Sequence, residues 1–477
     1  MNLVQNLFKN TGLLTISQII TAIMGFFWTT LYGRYLGLGD FGVISYAVAV
    51  MGMVSIFMDV GMSTYIVRDI SRDKRDTNRY LGNMIPLKIL LSLATILIVI
   101  LILKLMNKPD LTIIIILIFG IQAAIVSMNG LLSGVFQAFN KMKYQAIGTI
   151  INSTLLLSFV IIGIELDLGI VSIALAYLIS ITISSTYLIK TIKKLVKNIE
   201  IQFDFKFWIE VIKKAAPFGL TALFTSIFFL TDQVMLEIIS GNEAVGIYST
   251  AYRILLLFIT LYSMYTIAVY PLMTNLYKNS DNILKILYEK SVKYLLALSL
   301  PICVGISFYA NDIVVLIFGK DFIIAGSVLQ LLIWNLVFIF INGISDYLLN
   351  STNHEIGVTK RTAIAGSFNF VLNIIFISTF SYYGAVISTL LSGLLILILN
   401  SYLISRAVFK IDFSLIIDVI KISISTIILA IVLYYIHVSM WIAIPIGIIT
   451  YTIAIIITRT LDNNDKYIVK ELLGKNN

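Results

Sequence analysis

The chain reads as a succession of long apolar runs separated by short polar breaks. A helix needs about 20 apolar residues to cross the hydrocarbon core of a bilayer. Runs of that length predict spans at 11–33, 41–64, 82–103, 111–136, 145–164 and 168–189. A polar stretch, 190–214, carrying seven lysines, then interrupts the pattern. Eight further runs follow at 215–239, 246–273, 292–318, 324–349, 360–381, 383–405, 415–436 and 439–458. The pattern predicts an all-α polytopic membrane protein of about fourteen helices, ordered six, six and two. Its parts are an N-lobe at 1–189, a cytoplasmic inter-lobe linker at 190–214, and a C-lobe at 215–405. Residues 406–477 hold the last two helices and a cytoplasmic tail. The first apolar run is too long for a cleavable signal and reads as a retained helix.

Composition agrees and removes other classes. Of 477 residues, 59% are hydrophobic and 12% charged, against about a quarter charged in a soluble domain. A soluble globular fold, a disordered chain and a disulfide scaffold are excluded. One cysteine, Cys303, and two distant histidines, His354 and His437, make a zinc or haem site an improbable use of this chain. The net charge of +9 has a topological origin rather than a nucleic-acid partner. With the N-terminus inside, 29 of the 34 lysines and arginines fall on cytoplasmic segments, and only Arg34, Lys104, Lys108 and Lys320 fall outside. Basic residues accumulate on the cytoplasmic side, so both termini are expected there, with attraction to anionic lipids as a by-product.

The two six-helix blocks share a register. Gly37, Gly42, Val43, Ser45 and Ala47 follow the first span; Gly241, Gly246, Ile247, Ser249 and Ala251 follow the seventh, each 204 residues later. An even number of helices per block makes the repeats parallel, related by an axis along the membrane normal, a plan common in transporters.

Short motifs carry a likeness to a known family. The opening holds Gly33-Arg34-Tyr35-Leu36-Gly37, Asp40-Phe41-Gly42, Asp59-Val60-Gly61 and Arg68-Asp69-Ile70. The middle holds Asp232-Gln233-Val234-Met235-Leu236, Val245-Gly246-Ile247-Tyr248-Ser249 and Ala251-Tyr252-Arg253. Over its whole length the chain resembles the polysaccharide and O-antigen type lipid-linked oligosaccharide flippases. Their superfamily also holds multidrug exporters and the peptidoglycan lipid flippase. The motifs are specific to the superfamily and weak on substrate. The resemblance implies two lobes related by pseudo-two-fold symmetry. They would move an undecaprenyl- or dolichyl-phosphate type glycan across the cytoplasmic membrane by alternating access, for cell-surface polysaccharide or glycan assembly. Implied partners are the lipid-linked oligosaccharide, membrane lipids and other polysaccharide-assembly proteins.

Charge within a span is costly and marks function by default. Asp232 lies late in the seventh span and Arg253 early in the eighth, at matching distances from the turn that joins them. They read either as a mutually neutralising pair or as a site in which Arg253 grips a pyrophosphate through its planar fork. The equivalent first-half positions are Trp28 and Ala49, so the charges are not required by the repeat. Resemblance to the peptidoglycan lipid flippase implies a sodium site made of Asp232, Asn369, Asn373, the Ala385 carbonyl and Thr389. Asn373 stands where that relative has a second carboxylate, which lowers the negative charge. The alternative is that the asparagines hydrogen-bond between helices. Asp232 cannot both neutralise Arg253 and ligate sodium strongly. Sodium or protons are the coupling ions considered, and no other cofactor is expected.

Arg34, at the outer end of the first span, reads as an interfacial anchor or a substrate contact. Asp59 and Arg68 read as residues that fix the cytoplasmic end of the second span. Lys88 reads as snorkelling to the headgroups or as a substrate contact facing the cavity, and Asp346 as a boundary residue. Pro301 reads as a bend in the ninth span or as a tolerated proline. Two other classes compete with a flippase. A membrane-embedded glycan polymerase or ligase needs a large outer loop, yet the longest outer connection is the short one around Asp312–Ile323. A cation-coupled multidrug antiporter needs a buried carboxylate in the first lobe, and Asp59 is placed near the inner edge. A transporter, not an enzyme, is expected.

Overall fold

The computed structural model describes residues 3–196, 199–279, 281–410 and 412–460. Lys197 and the tail lysines Lys466, Lys470 and Lys475, read above as cytoplasmic markers, lie outside the described residues. The described residues are helical almost throughout and contain no strand. In hydrocarbon a backbone must satisfy its own hydrogen bonds, and only a helix does so within a single segment. The helices are α1 (Leu3–Asp59), α2 (Met62–Arg72), α3 (Thr77–Leu105), α4 (Asp110–Ala138), α5 (Lys143–Glu165) and α6 (Gly169–Leu195). Then come α7 (Phe205–Ser240), α8 (Asn242–Asn279), α9 (Asp281–Phe308), α10 (Ala310–Phe318), α11 (Ile324–Leu332) and α12 (Asn335–Ser351). The last are α13 (Glu355–Phe380), α14 (Tyr382–Ala407), α15 (Phe413–Ile436) and α16 (Met440–Ile457).

Among the described residues, 13 helical runs are long and apolar enough to cross a membrane. The first, Gly12–Arg72, is 61 residues long and contains the first two expected spans. It breaks at Gly37, whose φ of 72° and ψ of 178° are not helical. Counting both sides of that break gives fourteen candidate spans, the number expected. Helix α9 runs through Pro301 without ending.

The polar linker is shorter than its composition implies. Helix α6 continues through Lys190, Lys193 and Lys194, and α7 starts at Phe205. The segment between them is pinned to α3: Gln202 N–H donates to the Gly82 carbonyl at 3.0 Å, and Asn83 Nδ2 donates to Gln202 Oε1 at 3.0 Å. Asp204 then caps α7 by accepting from the N–H groups of Lys206 and Phe207.

Packing divides the chain into two units, residues 1–249 with 370–382, and residues 250–369 with 383–477. The first unit has a buried core that includes Met62, Tyr65, Leu81, Leu131, Phe136 and Trp208, from α2, α3, α4 and α7. Large apolar side chains such as Leu97, Ile98 and Leu101 on α3 are exposed on its surface, as suits a helix set in lipid. In the second unit α15 and α16 attach to α9 through Val304, Leu429, Leu433 and Ala443. Tyr451 OH also donates to the Ala297 carbonyl at 2.9 Å.

The sequence repeat is visible in the backbone of the first unit. Gly241, the equivalent of Gly37, has φ 84° and ψ 177°, and both are conformations that glycine adopts without strain. Five residues on, Gly42 and Gly246 lie at one helix crossing. A Cβ on Gly42 would sit 1.8 Å from the Asn242 carbonyl oxygen, and one on Gly246 would sit 2.2 Å from the Leu38 carbonyl oxygen. Leu38 and Asn242 are themselves repeat partners, so the crossing is pseudo-symmetric.

Candidate functional site

The first unit holds a polar constellation where α1 ends. Val60 and Gly61 take φ values of 49° and 81° and break the helix, so α2 restarts at Met62. Asp59 is left at the break. Its carboxylate accepts from the Ser63 N–H at 3.3 Å and from the Ser63 hydroxyl. Lys88 reaches the same place from α3. Its ammonium donates to Asp59, to Ser63 Oγ at 3.1 Å and to the Ser127 carbonyl of α4 at 2.6 Å. Ser127 Oγ donates to the Met58 carbonyl at 3.2 Å. Four helices are thus tied through one lysine that is only 1% exposed.

Asp59, Ser63 and Ser127 also line a cavity of about 390 Å³, with Gln122, Tyr177 and apolar residues such as Met51 completing its wall. Two expectations are corrected here. Lys88 does not snorkel to the headgroups, because a carboxylate, a hydroxyl and a carbonyl satisfy its ammonium within the protein. Asp59 does more than fix a helix end, since it faces a cavity in the first unit. A carboxylate of the kind the antiporter reading asks for is therefore present here, and Lys88 neutralises it. Sequence reading missed the pairing because positions 59 and 88 share no helical periodicity. The signal available was that each is a charge near the same membrane face.

Asp232 occupies a second buried position, 4% exposed. Tyr248 OH donates to its Oδ2 at 2.7 Å, and Asn373 Nδ2 donates to its Oδ1 at 2.6 Å. The structure therefore brings together two members of the expected sodium set, Asp232 and Asn373, and adds Tyr248. The second unit holds the other three. Asn369 is 1% exposed, and Thr389 donates its hydroxyl to the Ala385 carbonyl at 2.9 Å. Arg253 lies on α8 in the second unit and is half-buried, while Arg34 is exposed.

Three more ion pairs with a buried partner stand out among the described residues. Lys108 donates to both oxygens of Glu237 at 2.8 and 2.7 Å. Arg361, only 4% exposed, donates to Asp346 at 2.6 Å, and Asn400 donates to the same oxygen at 3.3 Å. Asp346 is therefore the counter-ion of a buried arginine, not a boundary residue. Lys293, 2% exposed, lies 3.2 Å from Asp418 of α15. Arg361 and Lys293 counted in sequence only as inside markers; burial beside a carboxylate gives each a structural partner as well.

Comparisons with known proteins agree with this architecture. Residues 7–277 match the family model described as polysaccharide biosynthesis protein, and residues 217–379 match the MatE model. The probable low-salt glycan biosynthesis flippase Agl15 of Haloferax volcanii is 23% identical over 403 residues, 83% of either chain. The uncharacterized membrane protein MJ1375 of Methanocaldococcus jannaschii is 24% identical, covering 84% of this chain and 98% of that one. Among solved structures, the lipid II flippase MurJ in an inward closed conformation superposes with a TM-score of 0.79 at 20% identity, over 94% of this chain and 99% of that chain. An inward-facing multidrug resistance MATE transporter gives 0.66 at 17% identity, over 82% and 98%. At these identities the solved structures share the fold with this chain.

Proposed function

The chain belongs to the polysaccharide biosynthesis protein family, and from that premise we propose that it is a flippase for a lipid-linked oligosaccharide. It is a multi-pass membrane transporter rather than an enzyme. The cargo proposed is a glycan on an undecaprenyl- or dolichyl-phosphate type lipid, carried across the cytoplasmic membrane by alternating access for surface polysaccharide or glycan assembly. Both termini are cytoplasmic in this reading. The observation that carries it is the family match over 7–277; the printed function of Agl15 points the same way. Arg253 is proposed to contact the lipid phosphate, because a guanidinium binds phosphate oxygens bidentately. Other polysaccharide-assembly proteins are proposed as partners that supply and receive the glycan.

A deletion strain tests this directly. Accumulation of the lipid-linked glycan, relieved by the wild-type gene and not by Arg253→Ala or Arg253→Lys at equal expression, is the expected result. Normal glycans with new drug sensitivity would establish the second reading, a cation-coupled multidrug antiporter. The MatE match at 217–379 favours that reading. Coupling to sodium or protons is proposed at Asp232. Turning the Asn373 amide over would present its oxygen, rather than its N–H, to a cation at the carboxylate, and oxygen ligands suit a hard ion. Sodium-dependent thermal stabilisation that Asp232→Asn abolishes supports this role, and its absence removes sodium from the mechanism.

A further inference from the structure

We propose that the Asp59 cluster is a monovalent-cation site whose ion is the covalently tethered ammonium of Lys88. Three observations carry the assignment. The ammonium is held by oxygens of three kinds, the Asp59 carboxylate, the Ser63 hydroxyl and the Ser127 carbonyl. An all-oxygen set with one formal negative charge is the environment a hard monovalent cation takes. The ammonium has left water, since Lys88 is 1% exposed, and so it depends on the cage for its stabilisation. The same three oxygen-bearing residues line the 390 Å³ cavity, so a free ion has a route to the cage once the lysine is shortened.

The consequence concerns selectivity and coupling. Lys88 and Asp59 cancel, so the cavity carries no net charge from this pair and does not repel a phosphate-bearing headgroup. The carboxylate also has its counter-ion built in and exchanges no free cation during transport. Any coupling ion then acts elsewhere in the molecule. The charge arrangement stands whatever the cargo is; only the tolerance of a phosphate-bearing headgroup rests on the flippase reading.

The test uses purified full-length protein and sodium, potassium or choline chloride at matched ionic strength, with melting temperature as the readout. Lys88→Ala and Lys88→Met leave Asp59 without its ammonium. Both are expected to melt below the wild type in choline chloride and to recover by several degrees in sodium or potassium chloride. The double variant Asp59→Asn/Lys88→Met removes both charges and is expected to lose that response. The wild type is measured in parallel, so a response at Asp232 is subtracted as the part common to all variants. The proposal is overturned if the lysine variants gain no small-cation response beyond the wild type, or if the double variant keeps the gain. It is also overturned if neither lysine variant folds in sodium or potassium while the double variant does. A glycan assay is not involved, so failure here and failure of the flippase reading are separate results.

Discussion

The crossing at Gly42 and Gly246 offers a sharp mechanical test. Alanine at position 42 puts a Cβ 1.8 Å from the Asn242 carbonyl oxygen, and alanine at 246 puts one 2.2 Å from the Leu38 carbonyl oxygen, where ordinary contact begins at 3.4 Å. The backbones must therefore part by about 1.6 Å in the first case and about 1.2 Å in the second. No side chain can rotate to relieve a clash with a backbone carbonyl. Parting a packed crossing by more than 1 Å forfeits a large share of its dispersion contacts, and overpacking of this kind costs about 1–3 kcal/mol or more. Each single variant should therefore melt well below the wild type, Gly42→Ala more than Gly246→Ala. The double variant should cost less than the sum, because one displacement accommodates both methyl groups. Gly305→Ala and Gly366→Ala are the controls. Nothing lies within 4 Å of either Cβ, and alanine favours a helix over glycine by up to about 1 kcal/mol. Thermal unfolding of purified protein measures all five. If Gly42→Ala and Gly246→Ala melt with the wild type, the close crossing is not what holds these helices together.

Other outcomes follow from single contacts. Asp232→Ala removes the acceptor of Tyr248 and Asn373, at about 1–3 kcal/mol for each buried hydrogen bond lost; Asp232→Asn keeps an acceptor oxygen and should cost less in the same melt. Lys108→Ala or Glu237→Ala alone should destabilise by about 3–5 kcal/mol, since their side chains are 16% and 5% exposed. Lys108→Met/Glu237→Leu should return most of it, and equal costs for the single and double variants would show that the charges are not coupled. Arg361→Met leaves Asp346 with Asn400 as its remaining donor among those described and should destabilise more than Asp346→Asn/Arg361→Met, read by chemical or thermal unfolding.

Much of the architecture was legible in the chain. Span number, order and helical character follow from local hydropathy, as does the turn at Gly37 from its copy at Gly241. The charges were not equally legible. Lys88, Asp59, Asp346 and Arg361 were each assigned a role from depth alone, and three of those roles changed when their partners became visible. The linker also shrank, because lysines such as Lys190 and Lys194 suit a helix that extends beyond the bilayer as well as they suit a loop.

The division has a physical cause. Transfer of a segment into hydrocarbon is close to a sum over its own residues, so sequence by itself determined that this is a helical membrane protein and about how many spans it has. The state of a buried charge is set by the atoms that replace water around it. Lys88 is satisfied by Asp59, Ser63 and Ser127, residues 29, 25 and 39 positions away in the chain. Only the tertiary packing of α1, α2, α3 and α4 decided that a lysine which could have reached the lipid headgroups serves instead as the fixed counter-ion beside a cavity.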